Sequence, residues 1–132
     1  MRRADVTRRH FISASAAVVG AATLIGAERA AAAPRTILIL GGTGFIGPHL
    51  VRLAVGRGHT VSIFTRGRKA ADLPDGVERL VGDRNGQLDA LAGRRWDAVI
   101  DDSATNPDWV RQSTERLASS GRYLFTSSTG VY

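Results

Sequence analysis

The chain has 132 residues, enough for one small domain and too few for two packed ones. Hydrophobic residues at 43% and charged residues at 23% are ordinary globular usage, which excludes wholesale disorder. With no cysteine there is no disulfide framework, Cys-based zinc site, iron–sulfur cluster or thiol nucleophile, and the scattered His10, His49 and His59 do not suggest a His-rich metal site.

The formal net charge of +6 is unevenly placed. Residues 1–33 carry Arg2, Arg3, Arg8, Arg9 and Arg29 against only Asp5 and Glu28, so half of the excess lies there. Once that segment is set aside, a nucleic-acid reading from the charge alone loses half its support. Four arginines by residue 9, the uncharged run Ile12–Ala27 and the small residues Ala30–Ala33 follow the basic, apolar, small-residue order of an export signal. Thr7-Arg8-Arg9-His10-Phe11-Ile12 resembles the twin-arginine motif. A membrane span needs about 20 mainly apolar residues, and this run is shorter and rich in Ala and Gly. The expected organisation is a twin-arginine-type signal peptide over 1–33 and a globular part over 34–132. The resemblance implies the twin-arginine export machinery as partner and a periplasmic or extracellular destination. That route carries proteins already folded, often with a cofactor aboard.

From Thr36 short apolar runs alternate with helix-like stretches. Thr36–Leu40 is a continuous β-branched and leucine run, as in a strand buried on both faces of a parallel sheet. Phe45 to Arg57 reads as a helix with Ile46, Leu50, Leu53 and Ala54 on one face, stopped by Gly56 and Gly58. Thr60–Thr65 gives a second strand and Val77–Val81 a weaker third. Gln87–Leu91 is a short helical piece, Trp96–Ile100 a fourth strand, Asp108–Ser119 a helix and Tyr123–Ser127 a fifth strand. Strands alternating with helices predict right-handed crossovers and a doubly wound parallel sheet of the Rossmann-like α/β class, in the order 3-2-1-4-5. The chain stops as the fifth strand finishes, so the expected domain is C-terminally incomplete.

Gly41-Gly42-Thr43-Gly44-Phe45-Ile46-Gly47 leaves a predicted strand and opens a predicted helix, the context in which a glycine-rich turn binds a dinucleotide. Gly41 allows the tight turn, Gly44 lets backbone approach a pyrophosphate, and Gly47 lets the helix pack closely. The free N–H groups and positive dipole end at the helix start hold phosphates. An NAD site usually places Asp or Glu at the end of the second strand for the ribose 2′-OH. Here that place holds Thr65-Arg66-Gly67-Arg68-Lys69. Arg66, with Arg68 as a second candidate, suits the 2′-phosphate of NADP, and NAD stays open as the alternative.

Together with Gly82-Asp83-Arg84 after the third strand and Ser127-Ser128-Thr129-Gly130-Val131-Tyr132 after the fifth, the glycine turn resembles the extended or atypical short-chain dehydrogenase/reductases. These are the NAD(P)-dependent epimerase/dehydratase sequences, which often act on nucleotide sugars. Thr65-Arg66-Gly67-Arg68 is similar to the atypical branch that also includes chloroplast-type RNA-binding relatives. The resemblance implies that Gly41, Gly44 and Gly47 line the pyrophosphate beside Thr43, with Phe45 and Ile46 supplying backbone amides. It further implies that Asp83 and Arg84 border the cofactor, with Asp83 accepting from the adenine amino group, that Ala104 packs beside the nicotinamide-side ribose, and that Ser128 is the catalytic hydroxyl. Trp96 and Trp109 read as packing residues. Asp101-Asp102 alone do not make a cation site.

The family's proton-transfer pair is Tyr-x-x-x-Lys, in which the lysine lowers the tyrosine pKa. Beyond residue 33 the tyrosines are Tyr123 and Tyr132, the sole lysine is Lys69, and no such pair occurs in this sequence. Two readings follow. One is the cofactor-binding part of an epimerase, dehydratase or reductase acting on a small hydroxyl or carbonyl substrate. The other is a dinucleotide-binding module without chemistry, serving as a sensor or an RNA-associated protein.

Overall fold

The computed structural model describes residues 33–126. The expected export leader over 1–33 lies, but for residue 33, outside the described residues, as does the expected catalytic Ser128. Within them the chain runs β1 (Thr36–Leu40), α1 (Gly47–Gly56), β2 (Thr60–Thr65), β3 (Glu78–Val81), a 3₁₀ turn (Asp89–Leu91), β4 (Ala98–Asp101), α2 (Pro107–Arg116) and β5 (Arg122–Phe125). The five strands form one parallel sheet in the order β3-β2-β1-β4-β5. This is the doubly wound order expected from the alternation of strands and helices.

Successive strand residues point to opposite faces, so the unbroken apolar run of β1 is shared between two cores. Ile37 and Ile39 join Val61 and Ile63 of β2 under Val51 and Ala54 of α1. Leu38 and Leu40 join Phe64, Val99, Leu88, Leu91, Trp96 and Leu117 on the other face. Ile39 stands in register with Ile63 on one side and Ile100 on the other. The sheet is thereby centred on β1, with its strand ends aligned where the glycine turn leaves.

Several boundaries differ from the sequence expectation. α1 starts at Gly47, not Phe45, with Pro48 in its first turn, where a missing N–H costs nothing. Its sheet-facing stripe is Gly47, Leu50, Val51 and Ala54, the i, i+3, i+4, i+7 set counted from the true start. Ile46 and Leu53, expected on that face, are 49% and 52% exposed. Trp96 precedes β4 instead of opening it. Its indole Nε1 donates to Ser62 Oγ at 3.1 Å, and the Arg94 guanidinium lies 5.3 Å from its ring centroid. The piece expected over Gln87–Leu91 is a single 3₁₀ turn that drives Leu91 into the core. β3 begins one residue later than expected, and α2 and β5 each begin one residue earlier.

Two carboxylates lock strand starts. Asp97 Oδ2 accepts from the Thr36 amide at 2.7 Å and the Thr36 hydroxyl at 2.9 Å, joining the approach to β4 with β1. Glu78 at the head of β3 accepts from Ser62 Oγ at 2.7 Å and from Arg94 at 2.6 and 2.7 Å.

Candidate functional site

The connections at the C-terminal ends of the strands converge, which is where doubly wound sheets bind ligands. The turn between β1 and α1 is held by Gly41 N–H donating to the Phe64 carbonyl at 2.9 Å. Gly41 and Gly42 have φ of +118° and +87°, conformations that side chains strain to adopt. A Cβ on Gly41 would run into Asp102 Oδ1, and one on Gly42 would lie 2.7 Å from Ile63 Cγ2. A Cβ on Gly47 would meet the Gly42 backbone, so the close approach at Gly47 is to the turn itself. Gly44 differs from all three. Its φ is ordinary, and a Cβ there would find nothing within 4 Å. The fold itself makes no demand for glycine at position 44.

The two helix starts also differ. α2 is capped by Asn106, whose side chain accepts from the Asp108 amide at 2.9 Å, with Asp108 in the first turn. α1 has no side-chain cap and no acidic residue in its first turn. Pro48 has no N–H and the His49 amide donates to the Ile46 carbonyl at 3.0 Å, so what this helix start leaves for solvent or an anion is the Gly47 N–H and the positive dipole end.

Beside the turn lies a cavity of about 310 Å³. The turn contributes Gly41, Thr43 and Gly44; β2 and its loop contribute Phe64 through Lys69; the end of β3 contributes Gly82, Asp83 and Arg84. Ser103, in the loop after β4, and Trp109 of α2 close it. Arg66, Arg68 and Lys69 are exposed, and no carboxylate among the described residues pairs with them. Asp83 is fixed by a tight turn: its Oδ1 accepts from the Asn85 amide at 2.9 Å, and its backbone exchanges hydrogen bonds with Gln87.

Of the residues expected to touch cofactor, Gly41, Thr43, Gly44, Arg66, Asp83 and Arg84 line this one cavity. Phe45, Ile46, Gly47 and Ala104 lie outside its lining: Phe45 and Ile46 are exposed, and Ala104 is half-buried. Arg84 borders the cavity with a guanidinium already committed to protein. It forms a bidentate pair with Asp101, donates to Ser113 Oγ at 3.1 Å and reaches the Trp109 carbonyl at 3.3 Å.

Asp101 is the residue that sequence reasoning missed. It is fully buried at the end of β4, and Tyr123 Oη donates to its Oδ2 at 2.6 Å. Burial and that hydrogen bond push the Tyr123 hydroxyl well above the ordinary phenol range. The signal in the sequence is an acid set directly at the end of the apolar run Ala98-Val99-Ile100, where only a paired charge is tolerated. Next to it, Asp102 Oδ1 is buried without a protein partner against Gly41. Burial, then the charge of Asp101, raises its pKa above the usual carboxylate value.

The family model described as the NAD dependent epimerase/dehydratase family matches residues 37–122. The Arabidopsis thaliana chloroplast stem-loop binding protein of 41 kDa b is 33% identical over 118 residues, covering 77% of this chain and 31% of the relative. Among solved structures, a UDP-galactose 4-epimerase superposes with a TM-score of 0.59 at 22% identity, covering 74% of this chain and 39% of the other. The Bordetella bronchiseptica enzyme WbmG in complex with NAD gives 0.55 at 18% identity, covering 71% of this chain and 37% of the other. At these identities the structural likeness concerns the fold. The chain spans between 31% and 39% of the length of these three relatives.

Proposed function

The chain belongs to the NAD dependent epimerase/dehydratase family, and from that premise we propose that it is the cofactor-binding part of an enzyme acting on a nucleotide sugar or a related hydroxyl or carbonyl compound, with NADP preferred to NAD. The observation that carries the reading is Gly44. Three glycines of the turn are required by the fold, whereas the fourth borders the cavity where the chain needs no glycine. A bare Cα there suits the close approach of a diphosphate.

The donor set fits such a group. The glycine turn ahead of α1 and the Gly47 N–H offer amides, and the uncapped helix start offers a positive dipole end, to the phosphates. Asp83 offers a fixed acceptor for an amino group. Arg66, exposed on the cavity wall, supplies charge-assisted hydrogen bonds to a 2′-phosphate, with Arg68 and Lys69 beside it. The cavity is at the low end of ligand-site volumes and suits the adenosine half of a dinucleotide. When bound, the nicotinamide would supply hydride exchange with the carbon bearing the hydroxyl or carbonyl. The role of this part of the chain is to bind and orient, and Ser128 is the residue proposed to hold the reacting oxygen.

Titrating the full chain with NADPH and NADH tests the cofactor preference. NADPH should bind more tightly, and Arg66→Ala should weaken it about tenfold while leaving NADH nearly unchanged. Equal affinities in the wild-type chain would remove the case for Arg66. The leader supports export by the twin-arginine route. Replacing Arg8 and Arg9 by lysine should then retain the protein in the cytoplasm, and unchanged export would refute that route.

A second reading is favoured by the 33% identity to a stem-loop binding protein and by the unpaired cations after β2. It makes the chain an RNA-associated module that needs no hydride chemistry. Retention on RNA that falls steeply with salt would support it.

A further inference from the structure

The two tryptophans have different surroundings. Trp96 is 4% exposed, belongs to the core and spends its indole N–H on Ser62. Trp109 is half-buried, belongs to neither core cluster and borders the cavity. Phe64, the cavity's other aromatic, is 2% exposed with its ring packed against Gly82 and cannot offer a face. Trp109 is therefore the aromatic side chain at this cavity that a ligand can reach among the described residues.

Its backbone is held from two sides. The Trp109 amide donates to the Asn106 carbonyl at 3.1 Å in the capped first turn of α2. Its carbonyl accepts from Arg84 Nη2 at 3.3 Å, and Arg84 is itself locked to buried Asp101. The backbone that carries the indole is thereby fixed in place before a ligand arrives.

Resting on the cofactor reading above, we infer that Trp109 supplies the stacking face for the adenine ring and is a positioning residue for the adenosine half of the dinucleotide. The same cavity carries Asp83, an acceptor for an exocyclic amine, and Arg66, a cation for a phosphate. An indole sharing one cavity with an acceptor and a cation suits a purine nucleotide carrying a ribose phosphate. Base–aromatic stacking is strong enough to matter and tolerates exchange of one aromatic for another.

The test titrates the full chain with 2′,5′-ADP, which lacks nicotinamide, and with nicotinamide mononucleotide, which lacks adenine, following tryptophan fluorescence and calorimetric heat. In the wild-type chain 2′,5′-ADP should quench the emission, and in Trp109→Leu, which keeps Trp96, the quenching should vanish. Trp109→Leu should bind 2′,5′-ADP about tenfold more weakly, while Trp109→Phe stays within about threefold. Urea midpoints of both variants report that they fold. Wild-type affinity in Trp109→Leu, or quenching by the mononucleotide alone, would overturn the inference and leave the cofactor reading standing. A wild-type chain that binds neither NADPH nor 2′,5′-ADP would overturn both.

Discussion

Arg84 and Asp101 form a buried bidentate pair, Nη1 to Oδ1 and Nη2 to Oδ2 (2.6 Å for the latter), although β3, which leads to Arg84, and β4, which ends on Asp101, are separated in the sheet by β2 and β1. The pair ties the loop after β3 to the far half of the sheet, and Ser113 and the Trp109 carbonyl add α2 to the same guanidinium. The cavity therefore has a fixed floor where three elements meet.

Breaking the pair on one side strands a buried charge. Asp101→Asn and Arg84→Met should each cost about 3–5 kcal/mol in urea unfolding. The double variant Arg84→Met/Asp101→Asn should lose clearly less than the sum of the two, since no unpaired charge remains. Additive losses would show that the two side chains act independently.

The glycines of the turn should separate by role. Gly47→Ala forces a Cβ into the Gly42 backbone and should destabilise by about 1–3 kcal/mol. Gly44→Ala, with open space and an ordinary φ, should leave the unfolding midpoint nearly unchanged. Equal losses at both positions would refute the division into glycines the fold needs and a glycine it does not.

Acid should weaken the fold partly through Glu78. Hydrogen bonds from Arg94, then from Ser62, hold its carboxyl below its ordinary value of 4.5. A carboxyl depressed in the folded state contributes stability above its unfolded pKa and loses it as the pH falls through the folded one. Stability should therefore decline below about pH 4.5, and Glu78→Gln should flatten that decline. The pair is partly exposed, so the effect is modest and shrinks in salt.

Asp102 should behave in the opposite sense. Burial, then the charge of Asp101, raises its pKa, so the folded chain binds the proton more tightly than the unfolded one. The ionised form then lowers stability at neutral pH, and the penalty fades as the pH falls through the raised value. Asp102→Asn should raise the unfolding midpoint at pH 7 and have little effect in acid. A midpoint lowered at pH 7 would contradict this assignment.

The sheet was legible because its signals are local. The β-branched run of β1, the alternation of strands with helices and the glycine turn each sit in one stretch of chain, and together they impose the order 3-2-1-4-5. The start of α1 was misplaced because Phe45 and Ile46 are apolar enough to pass for a buried helical face. The Arg84–Asp101 pair was not legible, since no local pattern reports that a loop crosses two strands to reach its partner. Trp109 reads as packing in the sequence because an indole in a first helical turn carries no mark of the cavity beside it.

The central claim is that the turn between β1 and α1 receives a diphosphate at Gly44. The most direct measurement is calorimetric titration of the full chain and its Gly44→Ala variant with NADPH, alongside their urea midpoints. The account predicts saturable binding that falls at least about tenfold in the variant while the midpoint holds, since removing a well-made phosphate contact costs about that much. Unchanged affinity in Gly44→Ala, or no binding to the folded wild-type chain, would contradict it.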